Sequence, residues 1–174
     1  MNGGTISPGN SPGILTINGD VTLSSTSTLF IELNGTTAGS SYDQLVVNGQ
    51  VNLGNAGLSG SLGFTPAEGD LFFILNNYGS DPFVGLLAGV TQGSSVNLGG
   101  SNFLVSYSGN TAGGTFLGGN DLTLQFISAV PEPSTWALIA VTGAGAGWYY
   151  RRQRSKPVVS SSKPSQLTLS IISA

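Results

Sequence analysis

The chain has 174 residues, enough for one domain and its appendages. Only 7% of them are charged, against roughly a quarter in an average soluble domain, while Gly alone accounts for 27. There is no Cys and no His, which excludes disulfides, thiolate or imidazole metal sites and any triad built on His.

The charge is divided along the chain. All five cations (Arg151, Arg152, Arg154, Lys156 and Lys163) follow Tyr150, and all eight carboxylates (Asp20, Glu32, Asp43, Glu68, Asp70, Asp81, Asp121 and Glu132) precede it. The first 150 residues therefore carry −8 and the last 24 carry +5. With no basic patch on the body, phosphate-backbone binding is excluded and no nucleic-acid partner is expected. So little charge also removes self-repulsion as a cause of disorder. Gly with Ser, Thr and Asn suits short strands joined by tight turns.

Residues 1–30 contain neither a basic n-region nor an apolar h-region, so no signal peptide is read there. The opening NGGTISPGNSPGILTING (2–19) resembles the interior of a repeat, and the expectation is a fragment of a longer product.

From Ile14 to Ile127, short apolar runs alternate with turn signals. The runs are ILTI (14–17), TLFIEL (28–33), QLVV (44–47), LFFIL (71–75), FLVSY (103–107) and LTLQF (122–126). Leu29, Ile31 and Leu33 alternate with period two, as do Leu122, Leu124 and Phe126, which predicts strands with one buried face. Asn18-Gly19, Asn34-Gly35 and Asn48-Gly49, with Gly pairs at 99–100, 113–114 and 118–119, supply the turns. No capped helical period occurs before residue 134. The predicted class is all-β.

LTINGDVTL (15–23) and LVVNGQVNL (45–53) carry Leu, Asn, Gly, Val and Leu at the same places. Repetition of a strand–Asn-Gly–strand unit favours a solenoid, with the body as its C-terminal part. The alternative is two separate Asn-Gly hairpins in a β-sandwich. TPAEGDLFFILNNYGSDPFVGL (65–86) then breaks the repeat and reads as a cap that closes a solenoid end with hairpins.

No catalytic residue and no cofactor is assigned to the body. A polysaccharide lyase needs a base and cations, and no Lys, Arg or His precedes Arg151. Glu68 and Asp70 are the closest carboxylate pair, but the turn beside Pro66 accounts for them better than two-carboxylate hydrolysis does. Asp43 and Asp121 each begin a strand. The acids are scattered singly, without calcium-binding nonapeptides, so no metal site is expected. No regular Thr-x-Thr ladder marks an ice-binding face.

The C-terminal stretch has a different character. Pro131-Glu132-Pro133 is followed by an uncharged span from Ser134 to Tyr150 and then by Arg151, Arg152 and Arg154. As a helix the span would be on the order of 25 Å long, short of the ~30 Å hydrocarbon core. Trp136 at one end and Trp148, Tyr149 and Tyr150 at the other occupy places favoured by interfacial aromatics. The Arg cluster sets the orientation, cytoplasmic for the cations and outside for the body. Two prolines favour an extended backbone ahead of the span, a shape a processing enzyme can hold.

Two family resemblances follow from these phrases. GTISPGNSPGILTI (4–17), SSTSTLFIELNG (24–35), YDQLVVNGQVNLGNAGL (42–58) and PAEGDLFFIL (66–75) resemble the autotransporter-associated β-strand type of bacterial surface protein. That resemblance implies a right-handed parallel β-helix displayed outside the cytoplasm, with no catalytic activity. VPEPSTWALIAVTGAGAGWYYRRQR (130–154) resembles a PEP-CTERM sorting signal, which implies processing near the Pro-Glu-Pro by an exosortase, an integral-membrane cysteine enzyme. Members usually end soon after the basic cluster, whereas this chain continues through residues 155–174.

The reading is a non-enzymatic, exported envelope protein in three parts: an all-β repeat and cap domain (1–129), a sorting signal (130–154) with a transmembrane helix over 134–150, and a disordered tail (155–174). Its expected partners are an exosortase, membrane lipid and extracellular polysaccharide. It is anchored in the membrane before processing and lies at the cell surface afterwards. The alternative is a carbohydrate- or ice-binding module bearing the same signal.

Overall fold

Short alternating runs have a face to bury but too little length to bury it alone, so they must stack. The computed structural model describes residues 3–128, which lie within one compact unit, Met1–Val130. In chain order the strands are β1 (Gly4–Ile6), β2 (Ile14–Asn18), β3 (Val21–Thr22), β4 (Ser27–Leu33), β5 (Gln44–Asn48) and β6 (Val51–Asn52). There follow β7 (Gly57–Leu62), β8 (Leu71–Asn77), β9 (Ser95–Leu98), β10 (Ser101–Gly109) and β11 (Asp121–Ile127). No helix occurs among the described residues, as the turn-rich composition predicts. Each of the six apolar runs lies inside a strand. The 134–150 span, and with it the anchor helix, lies outside the described residues.

The first eight strands form three parallel ladders, with orders β1-β4-β7, β2-β5-β8 and β3-β6. Ile14 to Asn18 pair in register with Gln44 to Asn48, and Val21 with Val51. Leu45 in turn faces Leu75. The repeated phrases thus lie directly over one another.

Asn34-Gly35 opens a loop that returns antiparallel to Leu33 at Tyr42. Asn18-Gly19 and Asn48-Gly49, in contrast, are corners between ladders and do not form hairpins, because β2 and β3, like β5 and β6, belong to different sheets. Their stacking explains the composition. Asn48 Nδ2 donates to Asn18 Oδ1 at 2.7 Å, across 30 residues, and the Gly19 amide donates to the Asn48 carbonyl at 3.1 Å. Asp20 Oδ1 accepts from the Gln50 amide at 2.8 Å. Gly49 packs on the Gly19 backbone so closely that a β-carbon would lie 2.4 Å from the Gly19 carbonyl carbon. Only Gly fits there.

LFFIL does not leave the pattern where the sequence suggests. β8 keeps the parallel register of β5, and the next segment still follows the third ladder: the Val84 amide donates to the Val51 carbonyl at 2.9 Å. The stacking continues through Leu86 and Ala88, whose partners are the Asn55 amide and the Ala56 carbonyl, and the departure comes after Ala88. From there β9, β10 and β11 run antiparallel, and β11 covers the free edge of β8, which gives a six-stranded sheet in the order β2-β5-β8-β11-β10-β9. The Gly99-Gly100 turn is a true two-residue hairpin, with positive φ at both residues. Among the described residues, β1, β2 and β3 are the outer strands at the opposite end of their ladders.

The core lies between the ladders. Leu29, Ile31 and Leu33 of β4 are fully buried, as their alternation requires, and they meet Leu45, Val47, Val51 and Leu53. In β11, Leu122 and Leu124 are buried and Phe126 is half-buried, but Thr123 between them is buried too. Its room comes from Gly109 on the facing strand, where a β-carbon would fall 1.9 Å from Thr123 Oγ1. Phe72 is the centre of an aromatic cluster, edge-on to Tyr42, Phe64 and Phe103 at centroid distances of 5.4, 6.0 and 5.9 Å. These rings join the parallel part to the cap. Phe72→Ala should therefore cost about 3–5 kcal/mol and Gly49→Ala about 1–3 kcal/mol, both read as falls in the urea unfolding midpoint.

Candidate functional site

Every residue of the predicted sorting segment, from Pro131, Glu132 and Pro133 through Trp136, Trp148, Tyr149 and Tyr150 to Arg151, Arg152 and Arg154, lies outside the described residues. What the structure places are the body's carboxylates and one polar cleft.

The carboxylates serve the backbone. Asp43 is fully buried where the loop after β4 enters β5. Its Oδ1 accepts from the Gly13 amide at 2.8 Å and its Oδ2 from the Glu32 amide at 3.0 Å, so one side chain ties adjacent turns of the chain together. Burial raises the Asp43 pKa, the two amides oppose that shift, and the charge of Glu32 reinforces it. Asp121 does the same at the cap, with Oδ1 taking the Asn77 amide and Oδ2 the Thr111 amide, each at 2.8 Å.

Asp70 closes its turn by accepting from the Ala67 amide at 2.8 Å. Glu68 points elsewhere and accepts from the Ser128 amide, and the hydrogen bonds from Ser128 lower its pKa. The pair is thus held in two separate turn contacts. Among the described residues no three acidic side chains converge on a point where a metal ion fits.

A cleft of about 350 Å³ opens between the end of β8 and the loop joining β10 to β11. Asn77 and Asn120 brace its wall. Asn77 Nδ2 donates to the Asp81 carbonyl at 2.8 Å, and Asn120 Nδ2 donates to the carbonyls of Gly79 and Asp81. Asn110 Oδ1 accepts from the Gly113 amide at 2.8 Å, which holds the loop. Part of the remaining lining is unengaged: the Asn76 side-chain amide makes no hydrogen bond among the described residues, Thr111 Oγ1 is buried without one, and the Tyr78 ring is 71% exposed.

Sequence reasoning did not find this cleft. Its two walls are some 40 residues apart in the chain and meet only because the cap folds back on β8. One signal was available: Tyr78 occupies the corner that Asn18 and Asn48 hold in the two earlier turns, a large aromatic at a position that otherwise needs a small amide.

Asp43→Ala leaves the Gly13 and Glu32 amides without their acceptor and should cost about 2–4 kcal/mol, read from urea unfolding. Because the folded pKa of Asp43 is raised, folding takes up a proton there. Its contribution to stability is fullest below the unfolded carboxylate value and declines as pH rises through the raised one. Asp43→Asn should remove that decline, seen as a flatter pH profile of the unfolding midpoint just above the ordinary carboxylate range.

Comparison with known proteins bears on the part of the chain that follows this body. No curated protein and no solved structure matches the chain. The family model described as the PEP-CTERM protein-sorting motif matches residues 129–153, so the chain carries that motif immediately after its last described strand.

Proposed function

We propose that this chain is a non-enzymatic, exported envelope protein whose C-terminal segment is recognised by an exosortase. The observation that carries the proposal is the sorting-motif match over 129–153, with Pro131-Glu132-Pro133 at its start and Arg151 and Arg152 near its end. In this reading the enzyme recognises the Pro-Glu-Pro stretch, the apolar span from Ser134 to Tyr150 is the membrane anchor and the arginines lie on the cytoplasmic side. Before processing the protein is membrane-anchored. Afterwards the body is at the cell surface.

We read the body as a short parallel β-solenoid closed by an antiparallel cap, akin to the autotransporter-associated strand proteins. The in-register ladders of β2 on β5 and β5 on β8 support that reading, as does the stacking of Asn18-Gly19 under Asn48-Gly49. A stalk or adhesive element of the envelope, in contact with extracellular polysaccharide, suits a body that carries seven carboxylates and no cation over residues 1–129. The absence of enzymatic function is supported by the engagement of Asp43 and Asp121. Both oxygens of each are bonded to backbone amides and so are poorly placed to exchange protons.

The test is expression of the full chain behind a cleavable export signal, in a host with an exosortase and in the same host lacking it. The wild-type chain should lose its C-terminal segment and leave the membrane fraction only where the enzyme is present. Replacing Pro131-Glu132-Pro133 by three alanines should keep it membrane-bound at full length. Unchanged processing of the triple-alanine chain would sink the reading.

A further inference from the structure

The cleft beside β8 has a chemistry that goes beyond sorting. We propose that it binds an uncharged glycan, with Tyr78 as the platform for a sugar ring and the amides of Asn76, Asn110 and Asn120 as the groups that read its hydroxyls.

Three observations converge on it. The first is the exposed Tyr78 ring at the cleft mouth, in a corner where the two preceding turns of the chain carry Asn. An aromatic face carries negative potential and offers a rigid apolar surface. The C–H groups on one face of a pyranose, slightly positive and otherwise poorly solvated, match it.

The second is the state of the polar lining. Asn76 has a donor and an acceptor free, Asn110 has its Nδ2 free and Asn120 its Oδ1, because their other contacts are made to the backbone. Adjacent hydroxyls of a sugar both donate and accept, and so pair with side-chain amides in either sense. The braces from Asn77 and Asn120 to the Asp81 carbonyl hold the wall in advance, so little ordering is needed on binding.

The third is charge. The cleft has no cation, since none precedes Arg151, and the Asp121 carboxylate lies in its lining with both oxygens already taken. Nothing there neutralises a uronate, sulfate or phosphate, and the local field opposes them. The volume of about 350 Å³ is at the lower end for small-molecule sites. That fits one or two rings of a longer chain lying across the opening.

The experiment uses the full chain in a detergent without a sugar headgroup. It is titrated with neutral tetrasaccharides (β-1,4-glucose, α-1,4-glucose and β-1,4-mannose) and with an acidic galacturonate tetramer, and binding is read by saturation-transfer NMR and calorimetry. At least one neutral oligomer should saturate with a Kd of about 1 mM or below, and the acidic oligomer should bind at least about tenfold more weakly. Tyr78→Ala should weaken the neutral ligand about tenfold or more, and Tyr78→Phe should retain most of the affinity because the ring face is kept. Tyr78 is exposed, so its replacement should leave the thermal midpoint in place, which separates lost binding from lost folding.

The proposal is overturned if no neutral oligomer saturates, if the acidic one binds as well, or if Tyr78→Ala binds like the wild type with its fold intact. None of these outcomes touches the sorting motif, which is read by processing and not by glycan affinity.

Discussion

Everything described in this chain depends on one constraint: each turn of the backbone must present its amides to the carbonyls of the next in fixed register. A parallel ladder of five residues has little energy alone. Here several ladders are closed at once, β1-β4-β7, β2-β5-β8 and β3-β6, so a slip in one would misalign the others. The corners enforce the register. Asn48 over Asn18, the Gln50 amide on Asp20 and Gly49 against Gly19 each admit one vertical neighbour only.

The buried carboxylates belong to the same constraint. Where the loop before β5 cannot offer a carbonyl to Gly13 and Glu32, Asp43 supplies two acceptors from one side chain, and its raised pKa is the electrostatic consequence of placing it there. Asp121 answers the equivalent need where the cap meets β8. Two acids at the starts of strands are thereby drawn into structural work.

The cap solves the edge problem and in doing so creates the cleft. β8 would expose a row of unpaired backbone groups if the stack stopped there. β11 pairs with it in the opposite direction, and the loop between β10 and β11 must then cross the corner at Tyr78. The space that remains is lined by amides because both the corner and the loop are built from Asn and Gly. The polar cleft follows from closure of the fold without any dedicated insertion.

The sequence by itself determined the class, the strands and the appendage. Period-two alternation placed Leu29, Ile31 and Leu33 inward, Asn-Gly pairs marked turns, and Pro131-Glu132-Pro133 with the arginines carried the sorting motif. These are local signals, each written within a few residues. Tertiary structure alone decided that Asn18-Gly19 turns a corner and not a hairpin, that Leu71–Asn77 stays in the parallel register, and that Asp43 and Asp121 are staples. It also decided that Asn76 and Tyr78 face the loop at Asn110. The reason is physical: register, burial of a lone carboxylate and the meeting of two loops each involve a partner thirty or more residues away, and no local pattern encodes which partner a backbone amide will find.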